Sequence, residues 1–212
     1  TIAAFYMLFE TGLILKGIYI QETKAGILNV EIRQNGIVYM EQALPDFSKI
    51  VSAVEICSSL NIQQTDLIET LPVQIVSTGL KDIMVPVKTL KVLGRIKPDF
   101  NKIIHVSRKY NVVGYHVFTM ETMNNSISHC RNFAPLYGIT EESATGTSCG
   151  ALACYLFKHQ VISEKKTGKL VFEQGYCIKK PSELLVKLNI EHNKVKKVQV
   201  GGTAKVVRKI KV

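Results

Sequence analysis

The sequence predicts an α+β fold of two related halves, each a rolled sheet wrapped around one buried helix. Three observations carry this. Residues 148–157 form a helical stretch of alanine, leucine and cysteine around which no solvent face can be drawn. A helix apolar all round must be buried all round. Residues 2–9 form a second stretch of this kind. Short runs rich in Val, Leu and Ile, bounded by turn residues, supply strands after each helix.

Internal echoes relate the halves. Thr1-Ile2-Ala3-Ala4-Phe5, followed by Lys24-Ala25-Gly26-Ile27-Leu28, mirrors Ser148-Cys149-Gly150-Ala151-Leu152, followed by Lys166-Thr167-Gly168-Lys169-Leu170. A shorter echo pairs Pro45-Asp46-Phe47-Ser48-Lys49-Ile50 with Pro98-Asp99-Phe100-Asn101-Lys102-Ile103. Short apolar matches also arise by chance, and that reading stands beside the first. With two halves, divided as 1–70 and 71–212, the last strands are free to pack back on the first. The two helix N-termini then face a shared cleft, a favoured place for ligands.

Each element has its own warrant. After the first helix, Gly12 and Gly17 break the pattern, and residues 17–21 read as a strand. Residues 26–32 alternate as a strand does. Asn35-Gly36 signals a hairpin into 37–40. Pro45-Asp46 then opens a helix capped by Asp46, with Phe47, Ile50, Val51 and Val54 on one face, ending near Asn61. Residues 72–79 and 83–87 read as strands, Pro86 placing the second at an edge or bulge. Pro98-Asp99 opens another helix, ending near Asn111, and 112–119 is a strand. Residues 124–129 read as a polar loop. Beyond the central helix, strands are expected over 169–172, 184–188, 195–200 and 204–207.

Composition narrows the function. The net charge of +10 comes from scattered lysines without interleaved aromatic residues, which argues against nucleic acid and leaves acidic small molecules. Five cysteines, an odd number without paired spacing, argue against a disulfide framework and for a reducing, cytoplasmic home. No metal-ligand spacing occurs. The apolar start of the chain is interrupted by Glu10 and Lys16, too broken for a membrane span, and it lacks the marks of a signal peptide. The chain reads as beginning inside a folded unit whose first strands precede Thr1.

The turn before the central helix carries the chemistry. The first four N–H groups of a helix have no partner within it. If that end is buried, an anion is a natural acceptor. Simple capping by Thr145 or Thr147 is the plainer alternative.

These stretches resemble a known family. Arg131-Asn132-Phe133-Ala134-Pro135, Gly138-Ile139 with Glu141, Ala144-Thr145-Gly146-Thr147 and Gly150-Ala151-Leu152-Ala153 are similar to the phenazine biosynthesis-like (PhzF-like) family of the diaminopimelate epimerase superfamily. Glu173-Gln174-Gly175, Pro181-Ser182, Val200-Gly201-Gly202, Val76-Ser77-Thr78-Gly79 and Thr1-Ile2-Ala3-Ala4 extend the match along the chain. The resemblance implies two barrel-like halves, a cleft between them and a homodimer. It implies an isomerase that moves a proton on a small carboxylate-bearing metabolite by acid–base chemistry, with no cofactor and no metal. No nucleic-acid or membrane partner is expected.

The family's principal glutamate, and a Gly-His pair, fall upstream of Thr1, so a chain starting there is expected to be inactive alone. The sequence also departs from the family with Glu142, Ser143 and Thr147 where Asp, Pro and Ser are usual, which puts the phenazine substrate in doubt. Glu142 is expected to bind a substrate amino or hydroxyl group or to assist proton transfer; a carboxylate favouring the helix N-terminus is the alternative. Thr145, Gly146, Thr147 and Ser148 are expected to bind the substrate carboxylate, and Thr1 to do so from the mirrored helix. Cys149 falls beyond the tip, as a small core residue. Arg131 either reaches an anion or forms a structural ion pair. Two rival readings remain: a non-catalytic acid-binding or scaffold protein of the same fold, and an epimerase or racemase using paired thiols.

Overall fold

The computed structural model describes residues 1–23 and 26–205. Helix α1 (Ile2–Glu10) precedes strands β1 (Gly17–Thr23), β2 (Gly26–Ile32), β3 (Val38–Gln42) and β4 (Asp46–Ile50). Helix α2 (Ala53–Leu60) leads to β5 (Gln74–Ser77) and β6 (Lys81–Pro86). Helices α3 (Leu90–Arg95) and α4 (Phe100–Tyr110) follow, then β7 (Gly114–Thr119), β8 (Ser128–Ala134) and β9 (Ile139–Glu142). Helix α5 (Gly146–Lys158) is followed by β10 (Leu170–Gln174), β11 (Ser182–Glu191) and β12 (Lys194–Gly202).

The strands form one mixed sheet in the order β1-β2-β3-β12-β11-β10-β8-β7-β6-β5-β4, with β9 added on β8. This corrects the expected fold. The elements are α+β, but the sheet is open. A barrel needs its end strands paired. Among the described residues, β1 and β4 are each paired on one side only, so neither half rolls closed. Instead, β3 pairs β12 antiparallel, which joins an early strand to a late one, and β10 pairs β8 in parallel, giving one continuous surface.

Helix α5 is the enclosed element. Every residue over 148–156 is buried. Val76 of β5, Met84 of β6, Phe118 of β7, Phe172 of β10, Val186 of β11 and Val198 of β12 belong to the same core. Gly150 lets the helix close on the sheet: a Cβ there would stand 2.9 Å from Val200 Cγ1. Helix α1 is the second correction. It forms where expected, but none of its residues is buried. Phe5, Tyr6 and Phe9 lean on the small cluster of Val30, Ile32 and Val38, while Ala3, Ala4 and Leu8 face outward.

Three further expectations change. Residues 46–50 are strand rather than helix, because Phe47 pairs Val76 and Ile50 pairs Gln74; the helix starts later, at Ala53. Strand β6 is interior, between β5 and β7, with Pro86 as its last residue. Residues 128–134 are a wholly buried strand, not a continuation of the polar loop. Of the expected strand over 204–207, Ala204 and Lys205 are not in a strand and the rest lies outside the described residues, as do Lys24 and Ala25 of the longer echo.

Candidate active site at the tip of the enclosed helix

The start of α5 is presented by its neighbours. The Gln174 side chain, buried on β10, accepts from the Thr145 amide (3.3 Å) and donates to the Glu142 carbonyl (2.7 Å) and the Thr145 hydroxyl (2.9 Å). The Thr78 hydroxyl donates to the Thr147 carbonyl (3.0 Å). Gly175 makes this arrangement possible: its φ is +86°, and a Cβ would stand 2.2 Å from the Lys180 carbonyl oxygen and 2.8 Å from that of Ser143.

Neither threonine caps the helix through its side chain. The Thr145 hydroxyl instead donates to Glu142 (2.6 Å). The amides of Gly146, Thr147 and Ser148 meet no acceptor among the described residues. Unpaired amides at the positive end of a buried helix favour an anion.

Two hollows flank this tip. The first, about 380 Å³, is lined by Gly146 and Thr147 on one side and by Thr1, Ile2 and Ala3 of the other helix start. Met40, Val200, Gly201 and Gly202 form its floor, and the exposed Glu183 stands on its rim. The second, about 290 Å³, is lined by Glu142, Thr145, Gly146, Thr147 and Ser148, with Asp82 and Asn132 beneath. No lysine or arginine is among the described residues lining either hollow. Thus Thr1 shares a hollow with Gly146 and Thr147 but not with Glu142, Thr145 or Ser148. Ala144, Gly146 and Thr147 line both hollows.

Side-chain contacts beneath the tip fill in what the sequence left open. The Ser148 side chain turns inward and hydrogen-bonds Asp82. Asn132 reaches both Ser148 Oγ (3.3 Å) and His116 Nδ1 (3.2 Å). Burial, the largest influence, pushes the Asp82 carboxyl up; the Ser148 hydroxyl, His116 and the Gly114 amide oppose this without overcoming it. Asp82, Asn132 and Gln174 therefore shape the tip, and the sequence reading assigned none of them. Isolated polar residues in apolar runs, such as Asp82 before Ile83-Met84-Val85, are the signal that was available. Arg131 is a structural residue: it forms a two-pronged pair with Glu141 (2.9 and 2.7 Å) and donates to the Leu93 and Ile96 carbonyls (3.0 and 3.2 Å). Cys149 is fully buried and lines neither hollow.

Fold and hollows together define an α+β protein with two hollows beside the start of a buried helix. The chain belongs to the phenazine biosynthesis-like (PhzC–PhzF) family, whose model matches residues 1–209. It is 31% identical over 218 residues to an uncharacterized isomerase of Clostridium acetobutylicum, covering 99% of this chain and 72% of that protein. A crystal structure of a PhzF-family phenazine biosynthesis protein from Bacillus anthracis superposes with a TM-score of 0.79 at 31% identity, covering 94% of this chain and 70% of that one. The chain is also 26% identical over 187 residues to the trans-2,3-dihydro-3-hydroxyanthranilate isomerase of Pseudomonas chlororaphis, covering 85% of this chain and 62% of that protein. These relatives place the chain among isomerase-type enzymes. No helix of the described residues is long and apolar enough to cross a membrane.

Proposed function

We propose that this chain carries the carboxylate-docking part of an isomerase that moves a proton on a small carboxylate-bearing metabolite, and that it works as a homodimer in the cytoplasm. The observation behind this is the amide-rich tip of α5, unpaired and flanked by hollows, with the start of α1 across the first of them. The substrate carboxylate docks on the Gly146 and Thr147 amides. Charge that develops beside it in the transition state is stabilised by the same fixed dipoles. Glu142, beside the tip in the second hollow, holds a donor group of the substrate or assists the proton. The relative from Pseudomonas chlororaphis supports an amino- and hydroxyl-bearing acid as the substrate class.

Solvent-exchange NMR in deuterium oxide tests this on the complete protein with a panel of small carbon acids. Deuterium is expected beside the carboxylate, with Glu142→Gln slowing exchange by about 10²-fold. No exchange across the panel overturns the proton-transfer reading. Saturable binding without exchange supports a non-catalytic acid-binding protein instead. The thiol-based reading needs a cysteine at a hollow, and Cys149 is not there.

A further inference from the structure

Beneath the tip of α5, three side chains that the proposed chemistry does not use converge. They are His116 of β7, Cys130 of β8 and Cys149 of α5, all fully buried. One ring nitrogen and the two sulfurs lie within 4.8 Å of one another. The sheet register brings them together. His116 stands opposite Asn132, and Phe118 opposite Cys130, so His116 and Cys130 are diagonal neighbours on one face. Helix α5 crosses that face and adds Cys149.

We propose that this cluster is a structural binding site for zinc. Thiolates with an imidazole are a typical donor set for this ion. Tetrahedral zinc at ordinary bond lengths holds its ligand atoms about 3.5–3.8 Å apart. His116 Nε2 already stands 3.8 Å from Cys149 Sγ, so closing the set takes side-chain adjustment rather than movement of strands. Two thiolates and a dication cancel, which suits a site closed to bulk solvent. A single enclosed water, neutral so that the charges still cancel, supplies the fourth ligand.

The surroundings distinguish the cluster from a pair of core thiols. Buried cysteines alone are ordinary core residues. Here the second imidazole nitrogen is engaged by Asn132, itself bonded to Ser148, which bonds Asp82. Metal-bound histidines are oriented through their other nitrogen in this way. The Asn132 Nδ2 group faces both His116 Nδ1 and Ser148 Oγ. Turning the amide so that its oxygen accepts from His116 Nδ1 leaves Nε2 for the ion and gives up the Asn132–Ser148 bond, while Ser148 still donates to Asp82. The ion loads as the chain folds, as structural zinc does. It then pins the first turn of α5 to β7 and β8. The site is separate from both hollows, so it stands or falls independently of the proton-transfer reading.

The test is metal content. The whole chain is unfolded under reducing conditions, refolded with zinc, dialysed against a weak chelator and assayed by mass spectrometry. About one equivalent is expected to remain, falling at least tenfold in Cys130→Ser and His116→Ala while Cys57→Ser and Cys177→Ser retain it. Cobalt substituted into the unaltered protein is expected to show thiolate-to-metal charge transfer from two sulfurs, a readout that needs no variant to fold. The inference is overturned if the refolded protein keeps under a tenth of an equivalent and gives no such band with cobalt. It is equally overturned if metal persists undiminished in folded Cys130→Ser.

Discussion

Helices α1 and α5 look alike in sequence and meet at one hollow, yet the structure treats them in opposite ways. Helix α5 is buried over 148–156, whereas no residue of α1 is more than partly buried. The difference is supplied by strands. Helix α5 packs with β5, β11 and β12, and its core extends to β6, β7, β8 and β10. Among the described residues, helix α1 packs chiefly on β2 and β3, with Tyr19 of β1 beside them. Apolarity on every side states what a helix needs. It does not state that nearby strands meet the need, and those beside α1 leave it half covered.

The largest expected effect is on the enclosed helix. Leu152 is fully buried, so Leu152→Ala removes packing that nothing refills and is expected to cost about 2–5 kcal/mol in urea unfolding. An effect below about 1 kcal/mol would mean that α5 is loosely held and that the contrast with α1 is overstated. Gly150→Ala sharpens the point with a single methyl group. That methyl meets Val200 Cγ1 at 2.9 Å, so α5 must lift from β12, at about 1–3 kcal/mol. Gly94→Ala is the control: α3 has open space there, and the change is expected to be neutral or stabilising by up to about 1 kcal/mol.

Why the sequence separated these helices so poorly is instructive. Period and apolarity located both, along with most strands, because these signals are local. The two hexapeptides show the limit. Pro98-Asp99 opens a helix, in which Asp99 accepts from the Lys102 amide at 3.1 Å. Pro45-Asp46 opens a strand, where, among the described residues, the Asp46 carboxylate accepts from the Ser48 hydroxyl and β5 takes up the backbone. The same local code gave two structures because a partner strand lies beside one. Strand β8 was missed for the converse reason. Ser128 and His129 read as loop and Arg131 and Asn132 were given no element; their partners, Thr119, Glu173, Glu141 and His116, lie elsewhere in the chain. At the site, the turn at 145–148 was legible as a helix start. Asp82 and Gln174 were not, since their roles exist only once strands bring them to it.

An intermediate effect tests the strands that enclose α5. Glu173 of β10 is buried and accepts from the Met123 and Asn124 amides (3.0 and 2.7 Å), from Ser126 (2.9 Å) and lies 2.7 Å from His129 Nδ1. Burial raises its pKa, but these partners together bring it below the ordinary 4.5. A depressed folded value means that the unfolded chain takes up the proton first. The stabilisation is thus full above 4.5 and is lost as pH falls through the folded value. Glu173→Gln is expected to cost about 1–3 kcal/mol near neutrality, with the gap to the unaltered protein narrowing in acid. A gap that stays constant with pH would remove the carboxylate charge from the account.

The smallest expected effect is on the exposed helix. Leu8 is 37% exposed on the outward side of α1, away from Val30, Ile32 and Val38. Leu8→Glu adds a charge where water already reaches, so the urea midpoint is expected to move by less than about 0.5 kcal/mol. This is the sharpest test of the contrast, because an apolar helix that tolerates a charge is not enclosed. A loss approaching that of Leu152→Ala would show that the outward face of α1 is covered in solution. If sedimentation velocity then shows the unaltered chain as a dimer and Leu8→Glu as a monomer, the cover is a second copy. The two helices would then both be enclosed, one by its own strands and the other by its partner.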